Sequence, residues 1–220
     1  MASCHALIFI GGNPPPPNVL QHLPNDAYVI AADSGYAHAI AMGFVPNELV
    51  GDMDSITSLD LTDAHDSNVL ITEYPTDKDL TDTEIAIASA LARQSTHITV
   101  VSGGGDRFDH ILGMVHSLAL CAGTVDTTLL IGTARVSYVS YTKELQLDTQ
   151  AGTVVSLLPI GGDATVTTKG LQWELDSDTL QSFASRGVSN IATSTSVSIS
   201  VTDGSLVVIE PFFLNPGDFS

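Results

Sequence analysis

The feature that most constrains this chain is a series of short apolar runs in its first 134 residues. Ala6–Ile10, Tyr28–Ala32, Leu49–Val50, Val69–Thr72, Ile98–Ser102 and Thr128–Ile131 are continuous rather than alternating. A strand that reads this way is buried on both faces, as in a parallel sheet covered by helices. Helical stretches fall between the runs. Thr81 to about Arg93 opens with the capping box Thr81-x-x-Glu84 and puts Ile85, Ala88 and Ala92 on one face. A second stretch, from about Asp109 to Cys121, aligns Ile111, Val115 and Leu118. Strand–helix alternation predicts an α/β domain, a doubly wound and mostly parallel sheet with helices on both faces.

The pattern changes after residue 134. Ser196-Val-Ser-Ile-Ser-Val-Thr202 alternates strictly, and Val136–Tyr141, Leu145–Leu147, Val154–Leu158, Ala164–Thr168 and Leu206–Glu210 are similar, with Gly or Asp turns between them. Half-buried strands at this spacing predict an all-β sandwich. The expected domains are therefore 1–134, α/β, and 135–220, β-sandwich. The run Pro14–Pro17 is expected to form a stiff extended loop.

Charge narrows the partners. The chain has 25 acidic and 7 basic residues, a formal charge of −18. Such a surface repels nucleic-acid backbones and anionic lipid, so neither is expected as a partner. No apolar stretch is long enough to span a bilayer. The N-terminal run has no Lys or Arg before it, unlike a secretory signal. The two cysteines, Cys4 and Cys121, make no metal-ligand spacing and suit reduced thiols in a cytoplasmic protein.

In a parallel sheet the carboxyl ends of the strands share one rim, where ligands bind. Five successive runs end in Gly, Asp or both: Gly11-Gly12-Asn13, Asp33-Ser34-Gly35, Gly51-Asp52-Met53-Asp54-Ser55, Asp77 to Asp82, and Gly103 to His110. Each alone reads as ordinary turn chemistry. Basic residues change the balance. Residues 1–134 contain three, Lys78, Arg93 and Arg107, and two of these stand in the acidic loops. Cations placed where carboxylates are densest suit a metal–polyphosphate site. Asp52 and Asp54, at i and i+2 of an extended segment, would lie roughly 6.5 Å apart on one side. They would converge on one hard cation such as Mg²⁺, with Asp82 at its helix start completing the set. Arg107 offers a fork for phosphate and Lys78 a point charge. Asp109 and His110 read equally well as helix caps.

These motifs together resemble the thiamin pyrophosphokinase family. Asp33-Ser34-Gly35 resembles its A-D-[GS]-G, Gly51-Asp52-Met53-Asp54-Ser55 its G-D-x-D-S, and Lys78-Asp79-Leu80-Thr81-Asp82 its K-D-x-T-D. Arg107-Phe108-Asp109-His110 resembles R-x-D-H. Gly170 to Leu175 resembles G-L-x-[WY]-x-L, and Val188-Ser189-Asn190 falls on G-x-S-N. Each motif is short; six in order over nearly the whole chain are specific together. The resemblance implies transfer of pyrophosphate from ATP to thiamin, giving thiamin diphosphate and AMP. It implies Mg²⁺ on Asp52, Asp54 and Asp82, with Asp54, Asp82 and Arg107 at the reacting phosphates. It places Asp33, Lys78, Thr81, Arg107, Asp109 and His110 around ATP, and Trp173, Ser189 and Asn190 around thiamin. It further implies a homodimer with active sites at the subunit interface. Asp106 replaces the glycine usual before the arginine.

Two rivals remain at this stage. A D-x-D after a strand also opens haloacid-dehalogenase-like phosphohydrolases, but there on the first strand and not the third. A non-catalytic ligand-binding dimer is the other; the intact acidic set and Arg107 speak against it.

Overall fold

A computed structural model describes residues 4–105, 107–141 and 143–211. Asp106, the departure noted above, lies outside them. The chain divides into two compact units, Met1–Ser117 with Leu129–Gly132, and Leu118–Thr128 with Thr133–Ser220. The division falls within a helix and a strand, not at a linker.

The first unit contains β1 (His5–Phe9), β2 (Tyr28–Ala32), β3 (Glu48–Gly51), β4 (Leu70–Glu73) and β5 (His97–Ser102), with β6 (Asp126–Ile131) beyond β5. The order is β6-β5-β1-β2-β3-β4, and each pair from β5 to β4 is parallel. Ala6, Leu7, Ile8 and Phe9 are all closed to solvent, so both faces of β1 are covered, as its unbroken apolar run requires. Four helices, α1 (Gly35–Ala41), α2 (Ser58–Asp66), α3 (Asp82–Ala92) and α4 (Phe108–Cys121), alternate with the strands. The α3 cap is as anticipated: Glu84 N–H donates to Thr81 Oγ1 at 3.2 Å and Thr81 N–H to Glu84 Oε2 at 2.8 Å. Two helices were not anticipated. α1 has seven residues and no side-chain cap, and α2 buries only Ala64, so neither carries a clear apolar stripe.

Pro14–Pro16 lie outside any regular element, with Pro16 extended (φ −67°, ψ 141°), but Pro17 starts a 3-10 helix, Pro17–His22, where its missing N–H is of no consequence. Val19 in that helix is buried and holds the end of the proline run.

The second unit is built of two antiparallel sheets. One has the order β12 (Asn190–Ile191), β9 (Val154–Pro159), β14 (Ser205–Pro211), β7 (Ala134–Ser140). The other is β11 (Asp178–Leu180), β10 (Ala164–Lys169), β13 (Ser196–Asp203), β8 (Glu144–Asp148). Val197, Ile199 and Val201 of β13 join Val155, Leu157, Leu206 and Val208 of the facing sheet in one core, while the serines between them turn away from it. Each such side chain contributes about 1.5–3 kcal/mol by leaving water. The alternating text thus becomes a sandwich. Among the described residues, no helix is long and apolar enough to cross a membrane.

Candidate active site

The carboxyl ends of β1, β2, β3 and β5 and the starts of α3 and α4 surround a cleft of about 680 Å³. Loops after four strands and before α3 supply its walls: Gly11 to Asn13, Asp33 and Ser34, Asp52, Asp54 and Ser55, Thr81 to Thr83, and Ser102 to Gly105. The rim expected from the sequence is present, and the first unit forms it alone.

Asp33 is the most constrained acid. It is 7% exposed and adopts the left-handed conformation, φ 48°. Its N–H donates to Val50 O at 3.0 Å, and its Oδ1 accepts Met53 N–H at 3.0 Å. Gly51 makes room for it. A Cβ on Gly51 would overlap Asp33 Oδ1 and stand 2.7 Å from its Cγ. Gly51 is therefore fixed by the neighbouring acid as well as by its own φ of 143°.

Asp33, Asp52 and Asp82 bring carboxylate oxygens within 4.8 Å of one another. Asp54 lines the same cleft but stands beside this group. The reason is local. Met53 has φ 60°, so the segment is not extended between the two acids, and Asp54 N–H folds back onto Asp52 Oδ1 at 3.2 Å. The i, i+2 spacing therefore yields a turn that caps Asp52.

Lys78 supplies the counter-charge. Its Nζ lies 3.4 Å from Asp52 Oδ2 and 3.1 Å from Asp82 Oδ1, with only 14% of the side chain exposed. Burial opposes its charge, but hydrogen bonds and the charges of Asp82 and Asp52 outweigh it and raise its pKa. Asp33 is pushed the other way, from 3.8 up to about 6, first by burial and then by the charge of Asp82. The Asp54 N–H holds Asp52 below the usual carboxylate range. The hydrogen bond and charge of Asp52 raise Asp54.

This donor set fits a hard divalent cation. It offers three convergent carboxylates, and Asp82 Oδ1 is closed to solvent with the Lys78 ammonium 3.1 Å away as its neighbour. A bound ion would give that buried oxygen a second cationic partner.

The remaining expected residues take clear positions. Thr81 lines the cleft, but its hydroxyl serves the α3 cap, donating to Glu84 Oε2 at 3.0 Å. Arg107, with its side chain 67% exposed, forks onto Asp109 through Nε at 3.0 Å and Nη2 at 2.7 Å. That pair keeps Asp109 well below the usual carboxylate range. His110 lines the cleft, followed by Ile111, which the sequence placed on an apolar helical stripe and not in the site, and by Met114, which it did not mark. Their spacing on one face of α4 was the available signal.

Two loops are clamped at the rim. Asn13 N–H donates to Gly104 O at 2.8 Å, and Gly103 N–H to Asn13 O at 3.0 Å. A Cβ on Gly103 would overlap the Asn13 and Pro14 carbonyl oxygens, and one on Gly12 would come within 2.6 Å of Gly104 O. The paired glycines permit that approach.

Trp173, Ser189 and Asn190 belong to the second unit. Trp173 is 57% exposed. Asn190 is buried against the Trp173 backbone, and Ser189, at φ 60°, donates its N–H to Ser156 Oγ at 3.0 Å.

Comparison with known proteins bears on the family and the fold. The thiamin pyrophosphokinase catalytic domain matches residues 19–129, and the thiamin pyrophosphokinase vitamin B1 binding domain matches residues 142–206. A thiamine pyrophosphokinase of Bacillus subtilis (strain 168) is 33% identical over 89 residues, 40% of this chain and 42% of that protein. Thiamine pyrophosphokinase 3 of Oryza sativa subsp. japonica is 27% identical over 173 residues, 74% of this chain and 64% of that one. The matched segments thus span less than two thirds of either relative. Among solved structures, a Bacillus subtilis thiamine pyrophosphokinase superposes with a TM-score of 0.83 at 22% identity, covering 96% of this chain and 100% of that one. The thiamin pyrophosphokinase of Candida albicans does so with 0.78 at 13% identity, covering 95% and 89%. These likenesses carry the fold. The catalytic-domain match alone takes in half of the sequence, the vitamin-binding match follows it in order, and the chain belongs to the thiamin pyrophosphokinase family.

Proposed function

We propose that this chain transfers the pyrophosphoryl group of ATP to the hydroxyethyl oxygen of thiamin, releasing AMP. The observation that carries the reading is the convergence of Asp33, Asp52 and Asp82 with Lys78 at the rim of a parallel sheet. Family membership and the names of the relatives support it. In this reading the domains 1–134 and 135–220 serve ATP and thiamin respectively.

Asp33, Asp52 and Asp82 would hold Mg²⁺, with Asp54 adjacent. When bound, the ion offsets phosphate charge that an acidic cleft would otherwise repel. Lys78 is already placed among the carboxylates and reaches phosphate as a point charge. Arg107 exchanges Asp109 for a phosphate fork. Asp54 is exposed to the cleft, and Asp52 raises its proton affinity, which suits it to orient the attacking hydroxyl. The new bond forms from the thiamin oxygen to the β-phosphorus, and the hydroxyl proton passes to Asp54. The bond from the β-phosphorus to the bridging oxygen breaks, and AMP leaves with that oxygen. His110 and Thr81 line the ATP side. Trp173 offers an exposed π-face to a cationic ring, and Ser189 is assigned to the same ligand.

The reading includes a cytoplasmic homodimer with sites at the subunit interface. Cys4 and Cys121 as thiols support the first part. The exposed Trp173 and Phe183 on the second unit support the second.

The test is product analysis. Purified protein with ATP, Mg²⁺ and thiamin is expected to form AMP and thiamin diphosphate in equal amounts, only when thiamin is present. Thiamin-independent release of inorganic phosphate would refute it and favour a phosphohydrolase.

A further inference from the structure

The sole tryptophan of the chain stands on the segment between β10 and β11. Both ends of that segment are tied down. Thr193 N–H donates to Gly170 O and Gln172 N–H to Ile191 O, each at 2.8 Å. Leu175 N–H donates to Thr168 Oγ1 at 3.0 Å, and Leu171 and Leu175 are buried in the sandwich core. Trp173 lies between these anchors with its indole outward, and its own peptide groups need partners of their own.

One side chain provides them. Asn190 Nδ2 donates to Trp173 O at 2.8 Å, and Asn190 Oδ1 accepts Trp173 N–H at 3.1 Å. The same Oδ1 accepts Ile191 N–H at 2.9 Å. Two N–H groups facing Oδ1 and a carbonyl facing Nδ2 fix the orientation of the amide. Both lone pairs of Oδ1 are used within the fold, and the residue is only 6% exposed. A side chain so occupied has no acceptor to offer a ligand.

We propose that Asn190 is a positioning residue for the flat aromatic cation taken up by Trp173. It holds the Trp173 peptide from both sides, so that the exposed indole is set before the ligand arrives. This deepens the proposed function and rests on it. An indole presented on a fixed backbone binds without the ordering cost that a mobile loop incurs. It gives its π-face at one angle, which a planar cation requires. Asn190 thereby acts through Trp173, whereas the resemblance alone would put it on thiamin directly.

Because Trp173 is the only tryptophan, its fluorescence reports this position alone. The test uses the full chain and three variants. Asn190→Ala removes all three bonds, Asn190→Asp turns the donor into an acceptor facing Trp173 O, and Asn190→Ser can restore one bond. Without ligand, tryptophan anisotropy is expected to fall in Asn190→Ala and Asn190→Asp, with Asn190→Ser between them and the parent. Thiamin is then titrated by tryptophan quenching. Its dissociation constant is expected to rise about 10-fold or more in Asn190→Ala, and its KM likewise, with the KM for ATP within about twofold. An equal rise in both KM values would show a general loss of structure and overturn the proposal. Unchanged anisotropy and thiamin affinity in Asn190→Ala and Asn190→Asp, with clear quenching in the parent, would overturn it while leaving the proposed function intact. Failure of thiamin to quench the parent protein, together with failure to form AMP, would overturn both.

Discussion

Asp33 is held where its charge is unwelcome, and replacing it should make the metal-free protein more stable. Burial and the Asp82 charge raise its pKa from 3.8 to about 6. The folded protein therefore keeps a proton on Asp33 up to about pH 6 that the unfolded chain releases near 3.8. Stability falls as pH rises through that window and levels off above it. The full shift corresponds to about 3 kcal/mol well above both values, and to about 1 kcal/mol at pH 4.5. Asn mimics the protonated acid and keeps an Oδ1 for the Met53 N–H. In EDTA, Asp33→Asn should thus exceed the parent by about 3 kcal/mol at pH 8. For a chain of this length that is about 6–12 °C in Tm. The gap should shrink to about 1 kcal/mol at pH 4.5. Added Mg²⁺ should raise the parent's Tm and leave the variant nearly unmoved, because one carboxylate of the set is gone. The assay is thermal unfolding followed by circular dichroism, at both pH values, with EDTA and with Mg²⁺. A gap of equal size at both pH values, or a variant less stable than the parent at pH 8 in EDTA, would refute the reasoning.

The other predictions concern the same rim. Lys78→Met leaves Asp52 and Asp82 without their internal cation, so the metal-free protein should lose about 1–3 kcal/mol near neutral pH. Its thermal gain from Mg²⁺ should exceed the parent's, and an identical gain would remove Lys78 from the charge balance of the cluster. Gly103→Ala drives a Cβ into two backbone carbonyls, parts the clamped loops and should cost about 2–3 kcal/mol in denaturant unfolding. Gly105→Ala, where the nearest atom would be 3.9 Å away, should stay within about 0.5 kcal/mol. Equal losses in the two glycine variants would show that the clamp is not what Gly103 serves.

What the sequence disclosed follows from what is local in the chain. The unbroken run Ala6–Ile10 and the strict alternation of Ser196–Thr202 each state how many faces of a strand are covered, and the structure has them so. The Thr81 capping box needs only four residues and was legible for that reason. Other features depend on contacts between distant residues. Asp33 joins Asp52 and Asp82 because β2 and β3 are neighbours, and no spacing within one motif says that. Asp54 steps aside because Met53 is left-handed, a conformation its side chain does not advertise. Asn190 looked like a pocket residue because it follows Ser189 in a motif; its three hydrogen bonds point back into the fold. Helices α1 and α2 were missed because short helices propped by a sheet need no strong amphipathic pattern of their own.

The contact between Gly51 and the Asp33 carboxylate also bears on how chains of this kind vary. The acid occupies the volume that any side chain at position 51 would need. The residue at 51 therefore constrains the residue at 33. A chain that places a side chain at 51 must shorten or move the acid at 33, whereas a chain that loses the acid still favours glycine at 51 through the φ of 143° there. The two motifs that carry these residues are not independent witnesses to kinship. Finding the first already raises the odds of the second, and a search that scores them separately counts part of the same physical constraint twice.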